Sequence, residues 1–193
     1  MGKVVITEFS SKNIPLYTGS EDENIIRDKA LNLLVDRFES TMGLDALTIA
    51  IAGIIDSISS PVYGYSGGVL SCFNVGIAES VVGAYFVSLA DNVPNTMVVH
   101  LFAIPEFLEG KGFGSAMFGE MCIRFPGYSF KLNAEPRSVG FWLKLGFEKV
   151  SNADDGSSIM HFGDGKYKAL NSTYTVNVLA ATYWETHAVM HSC

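Results

Sequence analysis

Residues 97–125, MVVHLFAIPEFLEGKGFGSAMFGEMCIRF, constrain the fold more than any other part of the chain. They open on an unbroken apolar run, residues 97–104, rich in Val, Leu, Phe and Ile, which reads as a strand. Pro105 ends it, because proline has no N–H to give to a ladder. An acidic turn leads into Gly110-Lys111-Gly112-Phe113-Gly114. Apolar residues then recur at Phe113, Ala116, Met117 and Met121, with helical spacing. Strand, glycine loop and helix in that order build an anion site. Glycines let the backbone approach a ligand closely, and the first-turn N–H groups of the helix lack intrahelical acceptors. The ligand implied carries a phosphate or pyrophosphate.

Spacing decides which phosphate ligand. A Rossmann loop, G-x-G-x-x-G, needs a glycine where Ser115 stands. A Walker loop, G-x-x-x-x-G-K-S/T, needs a glycine in place of Pro105 and a hydroxyl in place of Gly112. Both patterns fail. The x-x-x-G-x-G pattern at residues 109–114 instead resembles the Q/R-x-x-G-x-G/A pyrophosphate loop of the GNAT superfamily of acetyl-CoA-dependent N-acetyltransferases. Glu109 stands where Gln or Arg is usual. A second stretch, Phe141-Trp142-Leu143-Lys144-Leu145-Gly146-Phe147-Glu148, is similar to the F-Y-x-K-L-G-F-E helix end of the same family. It follows the next expected strand, residues 128–134, so the two motifs come in the family's order and separation. The resemblance covers residues 62–163 well, residues 1–61 loosely and the tail not at all.

The resemblance implies an α+β fold, with a mixed, mostly antiparallel central sheet flanked by helices, of the acyl-CoA N-acyltransferase type. At 193 residues the chain fits one domain over residues 1–193, with the motif core at 62–163 and a C-terminal extension at 164–193. Acetyl-CoA is then the acyl donor. Its pyrophosphate would lie on Glu109, Gly110, Lys111, Gly112, Phe113, Gly114 and Ser115. In the family the strands at 97 and 128 splay apart, and the pantetheine arm lies between them. Main-chain groups of Phe102, Ala103 and Ile104 would hold it, with Phe141, Trp142 and Lys144 completing the cofactor contacts. The acceptor is an amine, on a small molecule or a protein, attacking the thioester directly. The alternative is a non-catalytic acyl-CoA-binding or interaction module on the same scaffold.

An ammonium with a pKa near 10 must lose a proton before it can attack, so a general base helps. His100 is the candidate, on the strand nearest the expected thioester, with Glu79 and Tyr85 behind it. Val98, where some relatives carry a glutamate, cannot titrate. The family's usual acid is a tyrosine at the position of Trp142, and an indole N–H cannot deliver a proton as a phenol does. The thiolate is expected to take its proton from water, with Tyr128 a second source.

Charge and composition narrow the remaining classes. A net charge of −7 argues against a general nucleic-acid binder, which carries a basic face. Lys111, Arg124, Lys131, Arg137 and Lys144 nevertheless cluster in the motif region, where an anionic cofactor would sit. Cys72, Cys122 and Cys193 form no C-x-x-C pair and leave one over, which fits reduced thiols and a cytoplasmic protein. The histidines at 100, 161, 187 and 191 have no matching cysteines, so no metal site is expected. The N-terminus lacks a signal-peptide profile, and Ile6 breaks the myristoylation pattern. The most apolar run, residues 46–55, is too short to span a bilayer.

The remaining elements follow from periodicity and punctuation. A strand at 3–9 precedes a helix that starts at Ser20-Glu21-Asp22-Glu23, a capping box. Ile26, Ala30, Leu33, Leu34 and Phe38 form its apolar face and Gly43 its stop. A second helix is expected at 44–58 and a loop at 61–68. Strands follow at 69–74 and 80–90, a turn at 91–95, and a helix after Pro136. A closing hairpin takes residues 148–151 and 157–162. Residues 173–183 are β-branched and aromatic, and read as either an added edge strand or a homodimer contact.

Overall fold

The computed structural model describes residues 4–10, 21–43, 45, 47–49, 52, 69–75, 81–91 and 93–163. The expected loop at 61–68, Glu79 and the tail from 164 onward lie outside the described residues. So does most of the expected second helix, although Asp45, residues 47–49 and Ala52 have helical backbone. Among the described residues seven strands form one sheet: β1 Val4–Ser10, β2 Val69–Val75, β3 Val81–Leu89, β4 Thr96–Ala103, β5 Ser129–Ala134, β6 Glu148–Asn152 and β7 Ser158–Phe162. Among the described residues the sheet is accompanied by helices α1 Glu21–Met42, α2 Phe113–Arg124 and α3 Val139–Lys144.

The sheet order is β1-β2-β3-β4-β5-β7-β6. Every neighbouring pair is antiparallel except β4 and β5. That exception follows from the chain path, since α2 carries it back along the sheet and only a crossover can set two strands parallel. This is the mixed, mostly antiparallel sheet that the motifs imply.

Each face of the sheet has its own core. Ala30, Leu31 and Leu34 of α1 pack on Ala84, Phe86, Leu101 and Ala103. α2 and α3 cover the opposite face, which includes Val82, Tyr85, Val87, Met97, Val99, Phe130 and Leu132. At the centre of that second core stands Phe118. Its ring lies 5.6 Å from Phe130, 6.2 Å from Trp142, 5.3 Å from Phe147 and 5.2 Å from Phe162.

One irregularity governs β4. Phe86 pairs with Leu101 but Val87 pairs with Val99, so His100 is an extra residue, a β-bulge. Met97 and Val99 before it belong to the α2-side core, and Leu101 and Ala103 after it to the α1-side core. Phe102 and Ile104 therefore pack on the α2 side.

The Leu145-Gly146-Phe147 motif is a helix stop. Gly146 takes φ 96°, and the Phe147 N–H reaches back 3.1 Å to the Trp142 carbonyl. This satisfies the end of α3 and returns Phe147 to the core.

Candidate functional site

The site begins where β4 and β5 part. They pair over only four positions, from Thr96 with Ser129 to Val99 with Leu132. Thr96 and Ser129 hydroxyls 2.9 Å apart, and the Ser129 N–H donating to the Asn95 carbonyl at 2.9 Å, fix the start of this register. Beyond Leu132, β5 continues paired with β7 alone, and beyond Val99 β4 continues paired with β3 alone. The result is an opening inside the sheet, with main chain of residues 100–103 on one side and 133–134 on the other. Phe102, Ala103 and Ile104 border it, their side chains committed to the two cores. What they can offer a guest is main-chain N–H and C=O.

At the C-terminal end of β4 the chain makes a tight loop. Pro105 leads into a single 3-10 turn, Glu106–Leu108, and the fully buried Leu108 anchors it. Gly110 (φ 73°) and Gly112 (φ 87°) then take left-handed conformations that a side chain would strain. Gly112 caps α2, its carbonyl accepting the Ala116 N–H at 3.0 Å. The amides of Phe113, Gly114 and Ser115 are left without intrahelical acceptors by helix geometry. The Phe113 side chain is fully buried, so its share in the loop is main-chain. Gly114 is needed for packing: a Cβ there would stand 3.0 Å from Phe141 Cζ. Lys111 is exposed and Ser115 half-buried. A helix start preceded by two left-handed glycines suits a phosphate or pyrophosphate.

Glu109 has a partner that local sequence patterns gave no means of finding. Arg37 of α1 donates to its carboxylate, and the same guanidinium lies 3.9 Å from Glu106.

His100 stands at the inner end of the opening. Its Nε2 is 2.8 Å from the Ser88 hydroxyl, and its ring is 5.3 Å from Phe86. The residue as a whole is exposed. Desolvation, and then the positive charge of Lys131, hold its pKa below the ordinary 6.5. Both effects favour the neutral ring, the form able to accept a proton.

Trp142 is an interior residue. It is 5% exposed, with ring centroids 5.0 Å from Phe102, 4.9 Å from Phe141 and 5.0 Å from Phe147. Phe141 is half-buried and Lys144 exposed. Tyr128, the second source considered for the thiolate proton, precedes β5 at its paired end. At about 3.3 Å per residue it is roughly 16 Å along the strand from Asn133, which begins the opening. Among the described residues no cluster of His, Cys, Asp and Glu could hold a metal ion. No described helix is long and apolar enough to cross a membrane.

A seven-stranded sheet that parts between β4 and β5, with a glycine loop and helix start at its mouth, has the fold of the GNAT acyl-CoA N-acyltransferases. Tetrahymena GCN5 matches it with a TM-score of 0.62 at 10% identity, over 86% of this chain and 99% of that one. The PaiA N-acetyltransferase of Thermoplasma acidophilum, solved in complex with coenzyme A, gives 0.52 at 13% identity, covering 83% and 98%. The histone acetyltransferase HPA2 and related acetyltransferase of Corynebacterium glutamicum gives 0.55 at 16%, covering 86% and 98%. At these identities the likeness defines the fold. No family model and no curated protein sequence matches the chain.

Proposed function

We propose that the protein transfers an acetyl or other short acyl group from acyl-CoA to an amine. The observation that carries this reading is the opening between β4 and β5, with the Gly110–Gly112 loop and the α2 N-terminus at its mouth. The solved likenesses support it, one of them a coenzyme A complex. Main-chain groups of Phe102, Ala103 and Ile104 would pair with the amides of the pantetheine arm and polarise the thioester carbonyl. The amine lone pair attacks that carbonyl carbon, the C–N bond forms and the C–S bond breaks. The electron pair leaves on the CoA sulfur, which takes a proton from water. His100 receives one proton of the ammonium before attack, and the nitrogen gives up its second to water as the amide forms. The acceptor is an amine-bearing small molecule or a protein amine, which an acidic protein attracts more readily than nucleic acid.

The test is release of free thiol from acetyl-CoA by purified protein across a panel of amines. Failure of acetyl-CoA at millimolar concentration to raise the melting temperature would overturn the cofactor assignment. The buried Trp142, where the family's acid tyrosine is usual, favours a second reading, a non-catalytic acyl-CoA-binding module. Binding without turnover against every amine would select it.

If His100 is the base, the rate rises with pH through a midpoint below 6.5, and His100→Gln removes that limb from the pH profile of kcat. The same lowered pKa carries a stability consequence. Between the folded and unfolded pKa values the unfolded chain binds more protons, so stability rises with pH there. The contribution is full above about pH 6.5 and declines as the pH falls toward the folded value. Acid titration of the melting temperature should be flatter in His100→Gln; an unchanged kinetic limb in that variant rejects His100 as base.

A further inference from the structure

We propose that Arg37 is a positioning residue of the anion site, acting from α1 by holding and neutralising Glu109. The inference rests on the acyl-CoA reading above and specifies how this loop tolerates an acidic residue. Arg37 lies three residues beyond Leu34 and seven beyond Ala30, on the α1 stripe that packs against the sheet. Its side chain is 24% exposed, so it projects along the protein surface toward the turn that follows β4. There the guanidinium meets Glu109 directly and Glu106 at 3.9 Å.

Glu109 immediately precedes Gly110, and three residues separate it from the first residue of α2. A bare carboxylate there would oppose any phosphate placed on the α2 amides. With Arg37 engaged, the four charges of this corner balance, Arg37 and Lys111 against Glu106 and Glu109. Without Arg37 the corner carries one net negative charge. Glu106 is 87% exposed and well screened, so the uncompensated charge that matters is that of Glu109. The pair also ties α1 to the loop. That mechanical role is small by itself, because ion pairs this exposed contribute little to stability. The fold should therefore survive loss of Arg37.

Neutralisation and simple packing give different results in a two-by-two set: wild type, Arg37→Gln, Glu109→Gln and the double variant. Each is titrated with acetyl-CoA at low and high salt, with unliganded melting temperatures as a control. Neutralisation predicts that Arg37→Gln weakens binding roughly two- to tenfold and that Glu109→Gln tightens it by a similar factor. The double variant then returns to within about twofold of wild type, since opposite changes of one unit cancel. Both single effects shrink as salt rises. A double variant as weak as Arg37→Gln overturns the proposal, because Arg37 would then act on the ligand itself or on packing. So does an Arg37→Gln protein that binds as wild type does. Wild-type protein that fails to bind acetyl-CoA overturns the site reading and this proposal with it, whereas normal wild-type binding with either preceding outcome overturns the proposal alone.

Discussion

Gly112→Asp should abolish the stabilisation that acetyl-CoA gives the wild-type protein. A ligand at one hundred times its dissociation constant adds about 2.7 kcal/mol to stability. At roughly 2–4 °C per kcal/mol for a chain of this size, that is a rise of about 5–11 °C in melting temperature. Two effects remove it. Gly112 has φ 87°, and any side chain there projects from the cap of α2 where the anion is expected. The aspartate also puts a negative charge against that anion. Gly112→Asn separates the two, because asparagine tolerates the left-handed region about as well and carries no charge. The asparagine form should retain part of the shift and the aspartate form none. Equal shifts in wild type and Gly112→Asp would show that the anion lies elsewhere.

Phe118→Ala is expected to be the most damaging single truncation in the described core, costing about 3–5 kcal/mol. The reason is position. The ring projects from α2 onto β5, β7, α3 and the turn before β6, with centroids within 6.2 Å of Phe130, Trp142, Phe147 and Phe162. None of those rings can fill the void without abandoning another neighbour, so the cavity persists. Since folded domains are stable by only about 5–15 kcal/mol, the loss would consume much of the total. Leu143→Ala is the control: this leucine of α3 is 50% exposed and should change stability by less than about 0.5 kcal/mol. Chemical denaturation with both variants measures the difference; a Phe118→Ala cost below about 1.5 kcal/mol would mean that α2 can shift to close the gap.

Most of the element order was legible because each boundary has a local cause. Pro105 ends β4, Gly43 ends α1, and the glycine loop sets the start of α2 at Phe113. The expected hairpin at 148–151 and 157–162 differs from β6 and β7 by one residue at single ends. The glycine spacing likewise pointed to the loop, and the structure gives it the positive φ that glycine supplies. Three features had no such local signal. Residues 97–104 are apolar almost throughout, so no alternation marks which side of the sheet each residue serves, and the bulge at His100 was invisible. Arg37 and Glu109 are 72 positions apart, and charge alone does not name a partner at that range. Trp142 was placed by analogy with a tyrosine, and short helices carry too few turns to show which residue faces inward.

The bulge on β4 separates two requirements that are usually entangled. Loss of the codon for residue 100 would leave Val99 followed by Leu101, then Phe102 and Ala103, still alternating between the α2 and α1 cores as they do now. The alternation of buried side chains between the two cores would be kept, and the ladder to β3 would be regular. Only the local bend beside the opening, and the imidazole it presents, would go. Along this strand the assignment of side chains to the two cores does not depend on residue 100.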